Sequence, residues 1–271
     1  MRILLAQLAP RRGAVVENLA RVSAVAAAAP AEIAVFPELF LSGYRVGDAV
    51  HALALRPDGP ELAELGRIAR ATLKTLIVGA PLRSPDRPGE SQNAVLLVRP
   101  DGTHAAQPKR FLPTYGPFEE GSYFTPTSES RPIELGPHRL GLEICYDAFF
   151  PEVTRGLALA GVDLFVAVSA APVTSRRLFD RVLPARAVEN ATPLVYVNRV
   201  GVEDGVVFGG GSNAWDARGE VLEPTPVAFD RREAEESVTI VEVDLTEAPR
   251  WRPFRPVLRD VASARSPDPG P

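Results

Sequence analysis

The chain is a succession of short apolar runs separated by polar, turn-rich segments, and the spacing of the apolar positions changes from run to run. Short continuous or alternating runs predict strands, whereas apolar positions three and four residues apart predict helices. The predicted strands cover residues 3–8, 32–36, 76–80, 93–98, 103–107, 133–135, 139–144, 163–169, 194–200, 213–216, 220–222 and 238–243. The predicted helices cover residues 18–29, 60–73, 151–160 and 175–190.

This order of elements predicts an α/β fold, because strands alternate with helices in two similar halves of the chain. No linker, composition break or internal repeat divides the sequence. We therefore predict one domain over residues 1–260. The last residues, 261–271, include a run rich in proline and predict a disordered tail.

The composition provides ample apolar material for a core, since 45% of the 271 residues are hydrophobic. No run approaches the roughly 18 apolar residues of a membrane-spanning helix. The N-terminus lacks the cleavage site of a signal peptide, so we expect a cytoplasmic protein. The net charge of −4 favours neither nucleic acid nor an anionic membrane as a partner.

The single cysteine, Cys145, stands at a predicted strand-to-helix junction, at the end of the run Gly141–Asp147. A thiol at such a corner can lie near a helix N-terminus, whose dipole favours the thiolate. The alternative is a packing residue, since free cysteine is usually buried as a small hydrophobe. Residues elsewhere in the chain decide between these readings.

Two further charged residues also follow predicted strands, Glu38 after residues 32–36 and Lys109 after residues 103–107. We expect the strands that lead to Glu38, Lys109 and Cys145 to lie in one sheet and to bring these side chains together. The chain contains only two lysines, Lys74 and Lys109, among 30 basic residues. A retained lysine can mark a need for a compact ammonium, although Lys74 reads equally well as a surface remnant.

The chemistry of this trio is coherent. A carboxylate can take the thiol proton as a general base, and an ammonium can stabilise a thiolate and then an oxyanion. The backbone N–H of Tyr146 is placed to donate a second hydrogen bond to that oxyanion. Glu120 supplies a second acid, and two close carboxylates tend to share one proton, which a leaving amine could take.

Other chemistries are disfavoured by the sequence. The glycines at 209–211 do not form a phosphate loop, because no Gly-Lys-Ser/Thr and no GxGxxG run is present. The three histidines stand alone, without the spacing of metal ligands, so we predict no metal site. For the same reason a cysteine–histidine pair has no obvious base.

Three motifs resemble those of the nitrilase superfamily of carbon–nitrogen hydrolases. They are Pro37-Glu38-Leu39-Phe40 with Gly43-Tyr44, Lys109-Arg110-Phe111-Leu112-Pro113, and Gly141–Asp147 with Phe150-Pro151-Glu152. The similarity continues through Arg186–Asn190 and Asn198–Gly201 and covers nearly all of residues 1–245.

The resemblance implies an αββα sandwich that commonly dimerises into a four-layer assembly. It also implies Glu38 as the general base, Lys109 as the stabiliser of the tetrahedral intermediate and Cys145 as a nucleophile that forms a thioester. Glu120 matches the second glutamate of the family, which positions substrate and water. No metal or organic cofactor is implied.

Within this family, the segments 112–124 and 208–212 are similar to the glutaminase domains of NAD synthetases. The chain stops before any ATP-using domain, so we predict a free-standing amidase for a small-molecule amide, as a homodimer or higher homo-oligomer. The predicted substrate-binding residues are Tyr44, Tyr115, Tyr146, Ser169, Ala170 and Ala171.

Several alternatives remain open on the sequence. These are an N-carbamoyl amide hydrolase, a partner-dependent glutaminase, and a catalytically silent or redox-sensing scaffold. A true nitrilase is less favoured, because that branch typically has Cys-Trp-Glu where this chain has Cys145-Tyr146-Asp147. Arg176 or Arg177 could bind a substrate carboxylate, although helix arginines more often form salt bridges.

Overall fold

The computed structural model describes residues 1–265, which form fourteen strands and eight α-helices. The strands are β1 (Arg2–Gln7), β2 (Ile33–Val35), β3 (Thr75–Arg83), β4 (Ser91–Val98), β5 (His104–Pro108), β6 (Ile133–Leu135), β7 (His138–Ile144), β8 (Leu164–Ser169), β9 (Leu194–Asn198), β10 (Val202–Glu203), β11 (Val206–Val207), β12 (Asn213–Trp215), β13 (Thr225–Pro226) and β14 (Ser237–Glu242). The helices are α1 (Val15–Ala27), α2 (Val50–Leu53), α3 (Pro60–Thr72), α4 (Glu120–Tyr123), α5 (Pro151–Leu159), α6 (Arg176–Asn190), α7 (Glu247–Trp251) and α8 (Val257–Arg265).

The strands form two main sheets. The first has seven strands in the order β13-β14-β1-β2-β3-β4-β5, with parallel pairing at β1-β2-β3 and antiparallel pairing outside it. The second has five strands in the order β12-β9-β8-β7-β6, with β7, β8 and β9 parallel. A small hairpin of β10 and β11 lies outside both.

Both faces of the central strands β1 to β4 of the seven-stranded sheet are buried, which explains their nearly continuous apolar runs. Alternate residues of a strand point to opposite faces. In β1, Ile3 and Leu5 join a core shared with the five-stranded sheet, α5 and α6. Leu4 and Ala6 join a second core beneath α1 and α3. The layers are therefore helix, sheet, sheet, helix, and the predicted αββα sandwich is confirmed.

The main departures from the predicted elements lie near the C-terminus. The predicted strand 220–222 is reduced to one bridge between Trp215 and Val221. Residues 261–265 continue α8, so the predicted disordered tail begins inside a helix, and residues 266–271 lie outside the described residues. Arg252 donates to the carbonyl of Val162, which packs this terminal segment back onto its own chain.

None of the helices described in residues 1–265 is long and apolar enough to cross a membrane.

Candidate active site

Glu38, Lys109 and Cys145 follow β2, β5 and β7, as the sequence predicted, but these strands do not belong to one sheet. The strands β2 and β5 lie in the seven-stranded sheet, whereas β7 lies in the five-stranded sheet. The expectation of a single sheet was therefore wrong. The site forms where the ends of strands from two packed sheets meet.

A buried ammonium joins two carboxylates at this edge. The Nζ atom of Lys109 lies 2.7 Å from Oε1 of Glu38 and 2.6 Å from Oε1 of Glu120. All three side chains are buried. Because charges cannot remain buried without partners, each member of this cluster depends on the others.

Polar neighbours hold the two carboxylates in place. Asn93 Nδ2 donates to Glu38 Oε1 at 2.7 Å and to Glu120 Oε2 at 3.3 Å. The backbone N–H of Ala170 donates to the second oxygen of Glu38 at 2.7 Å. The hydroxyl of Tyr44 donates to Glu120 Oε1 at 2.6 Å. Both acids thus have fixed orientations beside Lys109.

The protonation of the cluster follows from burial and charge. Burial alone would lower the pKa of Lys109, but the carboxylates of Glu120 and Glu38 outweigh it and hold that pKa above its usual value. Burial raises the pKa of Glu120 to about 7, against the opposing effect of Lys109. Lys109 is therefore a permanent cation, whereas Glu120 can exchange a proton near neutral pH.

Cys145 occupies a strained corner at the end of β7. Its φ of 49° lies in the left-handed region, which is uncommon for a residue other than glycine. Its exposed fraction is 9%, and burial, reinforced by Glu38, raises the pKa of the thiol above its usual range. The thiol form is therefore favoured, because burial opposes the thiolate that a helix dipole would stabilise.

Asp147 fixes this corner and ties it to the Lys109 segment. Its carboxylate accepts hydrogen bonds from the backbone N–H groups of Ile144 at 3.3 Å, Arg110 at 3.2 Å and Phe111 at 2.9 Å. One side chain therefore links the end of β7 to the residues that follow β5. This link joins the two sheets at the site.

The turn that carries Glu38 depends on a glycine in the neighbouring strand. A Cβ atom at Gly79 would lie 2.3 Å from the carbonyl oxygen of Pro37 and 2.6 Å from Cα of Glu38. Real side chains do not approach this closely, so only glycine allows the two backbones to meet. The contact sets the position of Glu38 at the sheet edge.

The predicted substrate-binding residues are brought to the same edge in different ways. Ser169, Ala170 and Ala171 are buried, and Ala170 contributes its backbone N–H. The ring of Tyr115, which is 52% exposed, lies 5.5 Å from that of Tyr146 between ring centres. Tyr44 contacts Glu120 as described above.

Sequence reasoning missed Asn93, Asp147 and Asn198. Asn198 accepts from the N–H of Ala171 at 2.9 Å and donates to the carbonyl of Gly210 at 2.8 Å, which shapes the loop after β8. Asn93 and Asn198 are polar residues within or at the end of apolar runs. A polar residue that interrupts an apolar run was the sequence signal by which they could have been found.

Arg176 does not offer a free charge. It donates to the carbonyl of Gly209 at 3.0 Å and to Asp180 at 3.4 Å. This agrees with the expectation that it forms structural contacts. Arg177 is exposed in the first turn of α6.

A cavity of about 150 Å³ borders Tyr44 and Glu120 without including Cys145. Its other lining residues are Arg12, Asp204, the turn after Tyr44, and residues in or next to α4. Within residues 1–265, no group of three or more histidine, cysteine, aspartate or glutamate side chains could hold a metal ion.

The sequence profile of the carbon–nitrogen hydrolase family matches residues 2–253. The chain therefore belongs to the carbon–nitrogen hydrolase family, and the predicted class of enzyme is confirmed.

The chain is similar to two curated relatives and to a solved amidase structure of this kind. An (R)-stereoselective amidase of Pseudomonas sp. is 35% identical, over 82% of this chain and 80% of its own. The glutamine-dependent NAD(+) synthetase of Rhodobacter capsulatus is 33% identical over 93% of this chain, which spans 45% of the synthetase. A mutant of the amidase from Nesterenkonia sp. AN1 has a TM-score of 0.76 at 29% identity, with 94% of both chains covered. That structure shows the acetamide moiety of fluoroacetamide added covalently at the active site cysteine.

Proposed function

We propose that the protein hydrolyses the amide bond of a small molecule through a thioester on Cys145. The observation that carries this proposal is a strained, buried thiol at the end of β7 that interacts electrostatically with Glu38, Lys109 and Glu120 of the buried cluster. The covalent adduct on the cysteine of the Nesterenkonia amidase supports the same role for Cys145.

The proposed first step uses the thiol and its neighbouring base. Glu38 accepts the proton of Cys145 while the sulfur attacks the amide carbon, and the carbonyl oxygen becomes an oxyanion. Lys109 and the backbone N–H of Tyr146 stabilise that oxyanion. Glu38 then gives the proton to the leaving nitrogen, so ammonia or an amine departs and the acyl group remains as a thioester.

The second step returns the enzyme to its starting state. Water loses a proton to Glu38 and attacks the thioester carbon, and the intermediate collapses to a carboxylic acid and the Cys145 thiolate. Glu38 gives its proton back to that thiolate. Glu120, held by Tyr44, Asn93 and Lys109, orients the substrate amide and the attacking water.

Lys109 is suited to the oxyanion and not to proton transfer. Its two carboxylate partners raise its pKa, so it stays protonated through both steps. A fixed cation in a buried site stabilises developing negative charge far more than it would in water.

The test is intact-protein mass spectrometry after brief mixing with a panel of amides, glutamine, N-carbamoyl compounds and nitriles, together with an ammonia assay. We expect an adduct of acyl mass on the wild-type protein and none on Cys145→Ala. Ammonia release without a trapped adduct agrees with fast hydrolysis of the thioester. A folded protein that gives neither adduct nor ammonia with any compound would overturn the proposal.

A partner-dependent glutaminase is a second candidate, favoured by the similarity to the NAD(+) synthetase over 93% of this chain. In that case glutamine would be the preferred amide, and its hydrolysis would be slow until a partner protein binds. The same panel separates the two candidates, because a partner-dependent glutaminase would act on glutamine in preference to the other amides, and only slowly.

We also propose that the protein forms a homodimer. The resemblance to its superfamily supports this, as do apolar side chains exposed on α6 and before α8, including Leu178, Val188 and Phe254. Light scattering after size-exclusion chromatography tests it, and a mass of one chain at micromolar concentration would contradict it.

A further inference from the structure

Five aromatic side chains from four separate segments form a continuous series of ring contacts, which we call the aromatic arc. The arc consists of Tyr44, Tyr115, Phe118, Tyr146 and Phe208. Successive ring centres are 6.0 Å apart between Phe208 and Tyr44, 6.3 Å between Tyr44 and Phe118, 5.6 Å between Phe118 and Tyr115, and 5.5 Å between Tyr115 and Tyr146. All four contacts are edge-on, an arrangement that aromatic rings prefer.

The arc lies at the reacting groups. Tyr146 directly follows Cys145 in the chain, and the hydroxyl of Tyr44 donates to Glu120. Tyr115 is half exposed and lies close enough to Cys145 for the two groups to interact electrostatically, so this end of the arc is open to solvent near the thiol. An acyl group attached to Cys145 would therefore extend along aromatic rings.

The arc is also uncharged. Burial and the neighbouring Tyr146 hydroxyl raise the pKa of Tyr115 to about 12, and burial together with Glu120 raises the pKa of Tyr44 well above its usual value. Both tyrosines stay neutral at physiological pH. Their rings offer flat apolar surface with a polar tip.

The basic side chains that border the arc already have partners. Arg45 donates to the carbonyl of Pro117 at 2.6 Å and lies 3.7 Å from Asp204. Arg176 is engaged by the carbonyl of Gly209 and by Asp180. Arg199 lies over the ring of Phe208, 4.0 Å from its centre, and pairs with Glu203 at 2.6 Å. Arg12 pairs with Asp204 at 2.6 Å, and Glu119 and Arg177 are exposed to solvent. A zwitterionic amino-acid amide would lose hydration of both its charges without gaining a buried partner for either.

We propose that the aromatic arc binds the acyl part of the substrate, and that the preferred substrates are amides with a neutral, flat, apolar acyl group, such as aromatic carboxamides. This inference rests on the proposed amidase function. It assigns specificity to Tyr115 in particular, because its ring is the most exposed member of the arc that contacts Tyr146.

The experiment compares ammonia release from benzamide, acetamide and glutamine by the wild-type protein and three variants. We expect kcat/KM for benzamide to exceed that for glutamine by about tenfold or more, since a buried site without charge partners rejects charged groups. Tyr115→Ala should lower kcat/KM for benzamide about fivefold, mainly through KM, and leave acetamide unchanged. Tyr115→Phe, which retains the ring, should restore most of the preference for benzamide.

Val16→Ala is the control, because it shortens an apolar side chain on α1 that is 80% exposed and lies outside both the arc and the proposed dimer surface. It should leave all three rates unchanged. Glutamine as the best substrate, or an equal effect of Tyr115→Ala on benzamide and acetamide, would overturn the inference while leaving the amidase proposal intact. No hydrolysis of any amide by folded protein would instead overturn the amidase proposal itself, and the inference with it.

Discussion

Glu143 offers a sharp test of how burial sets charge in this molecule. It lies in β7, two residues before Cys145, and is fully buried. In the described part of the chain the hydroxyl of Thr154 is the one polar side-chain group that faces this carboxyl group closely, and neither carboxyl oxygen has a hydrogen bond of good geometry. A carboxylate in this position loses its hydration without compensation, so the neutral acid is favoured.

The magnitude follows from the pKa. Burial raises the pKa of Glu143 from 4.5 to about 7. Between these values the unfolded chain releases the proton while the folded protein retains it, so stability falls as pH rises. Each pKa unit corresponds to about 1.4 kcal/mol. The full loss, about 3 kcal/mol, is reached above pH 7 and is absent below pH 4.5.

Glu143→Gln replaces the acid with a neutral group of the same shape and removes this loss. We expect the variant to match the wild-type free energy of unfolding near pH 4.5 and to exceed it by up to about 3 kcal/mol at pH 8. Urea denaturation across this pH range measures the difference. Glu223→Gln, an exposed glutamate, is the control and should show no such trend.

A flat difference between Glu143→Gln and the wild-type protein across this range would refute the reasoning. A variant less stable than the wild-type protein at pH 8 would do the same, because it would mean that Glu143 is ionised and stabilised by partners.

Three further substitutions test the construction of the site. Lys109→Ala leaves two buried carboxylates without a cation, so we expect loss of amide hydrolysis and destabilisation by about 3 kcal/mol or more. Lys74→Ala, at the other lysine, is the control and should retain activity. An equal loss of activity in both variants would contradict this. Gly79→Ala forces its Cβ against the carbonyl of Pro37, so denaturant unfolding should show a loss of about 2 kcal/mol, and an unchanged midpoint would be evidence against the close contact. Asp147→Asn weakens the three hydrogen bonds that backbone N–H groups donate to this side chain at the cysteine corner. We therefore expect a lower kcat with a nearly unchanged KM in steady-state assays. A change in KM alone would exclude a role of Asp147 in positioning Cys145.

The sequence predicted most of the elements and the strand-end positions of Glu38, Lys109 and Cys145, the three side chains that we propose to react, because both depend on local pattern. Apolar runs of strand length end just before Glu38, Lys109 and Cys145, and the structure places all three at strand ends. The assignment to one sheet failed for a physical reason. Periodicity shows that a strand is buried, but pairing between strands far apart in the chain decides which sheet it joins.

The residues that sequence reasoning missed act through partners distant in the chain. Asn93 bonds to Glu38, 55 residues earlier, and Asp147 bonds to Phe111, 36 residues earlier. A polar residue in an apolar run signals a buried hydrogen bond, since an unpaired polar group there is costly. The signal does not name the partner, which only the packing of the two sheets reveals.

The two lysines show why composition alone could not identify the site. The sequence allows Lys74 as a surface remnant, yet its exposed fraction is only 7%, and burial lowers its pKa. Its only described hydrogen bond is to the carbonyl of Thr72 at 3.4 Å. Lys109 is also buried, but two carboxylates lie within 2.7 Å and raise its pKa instead. The two lysines are both buried, yet they differ in how strongly each retains its proton, because only Lys109 has acidic partners. The scarcity of lysine therefore does not by itself identify a reacting residue. The pKa of Lys74 is lowered and that of Lys109 is raised, which shows that the surrounding carboxylates make Lys109 a fixed cation.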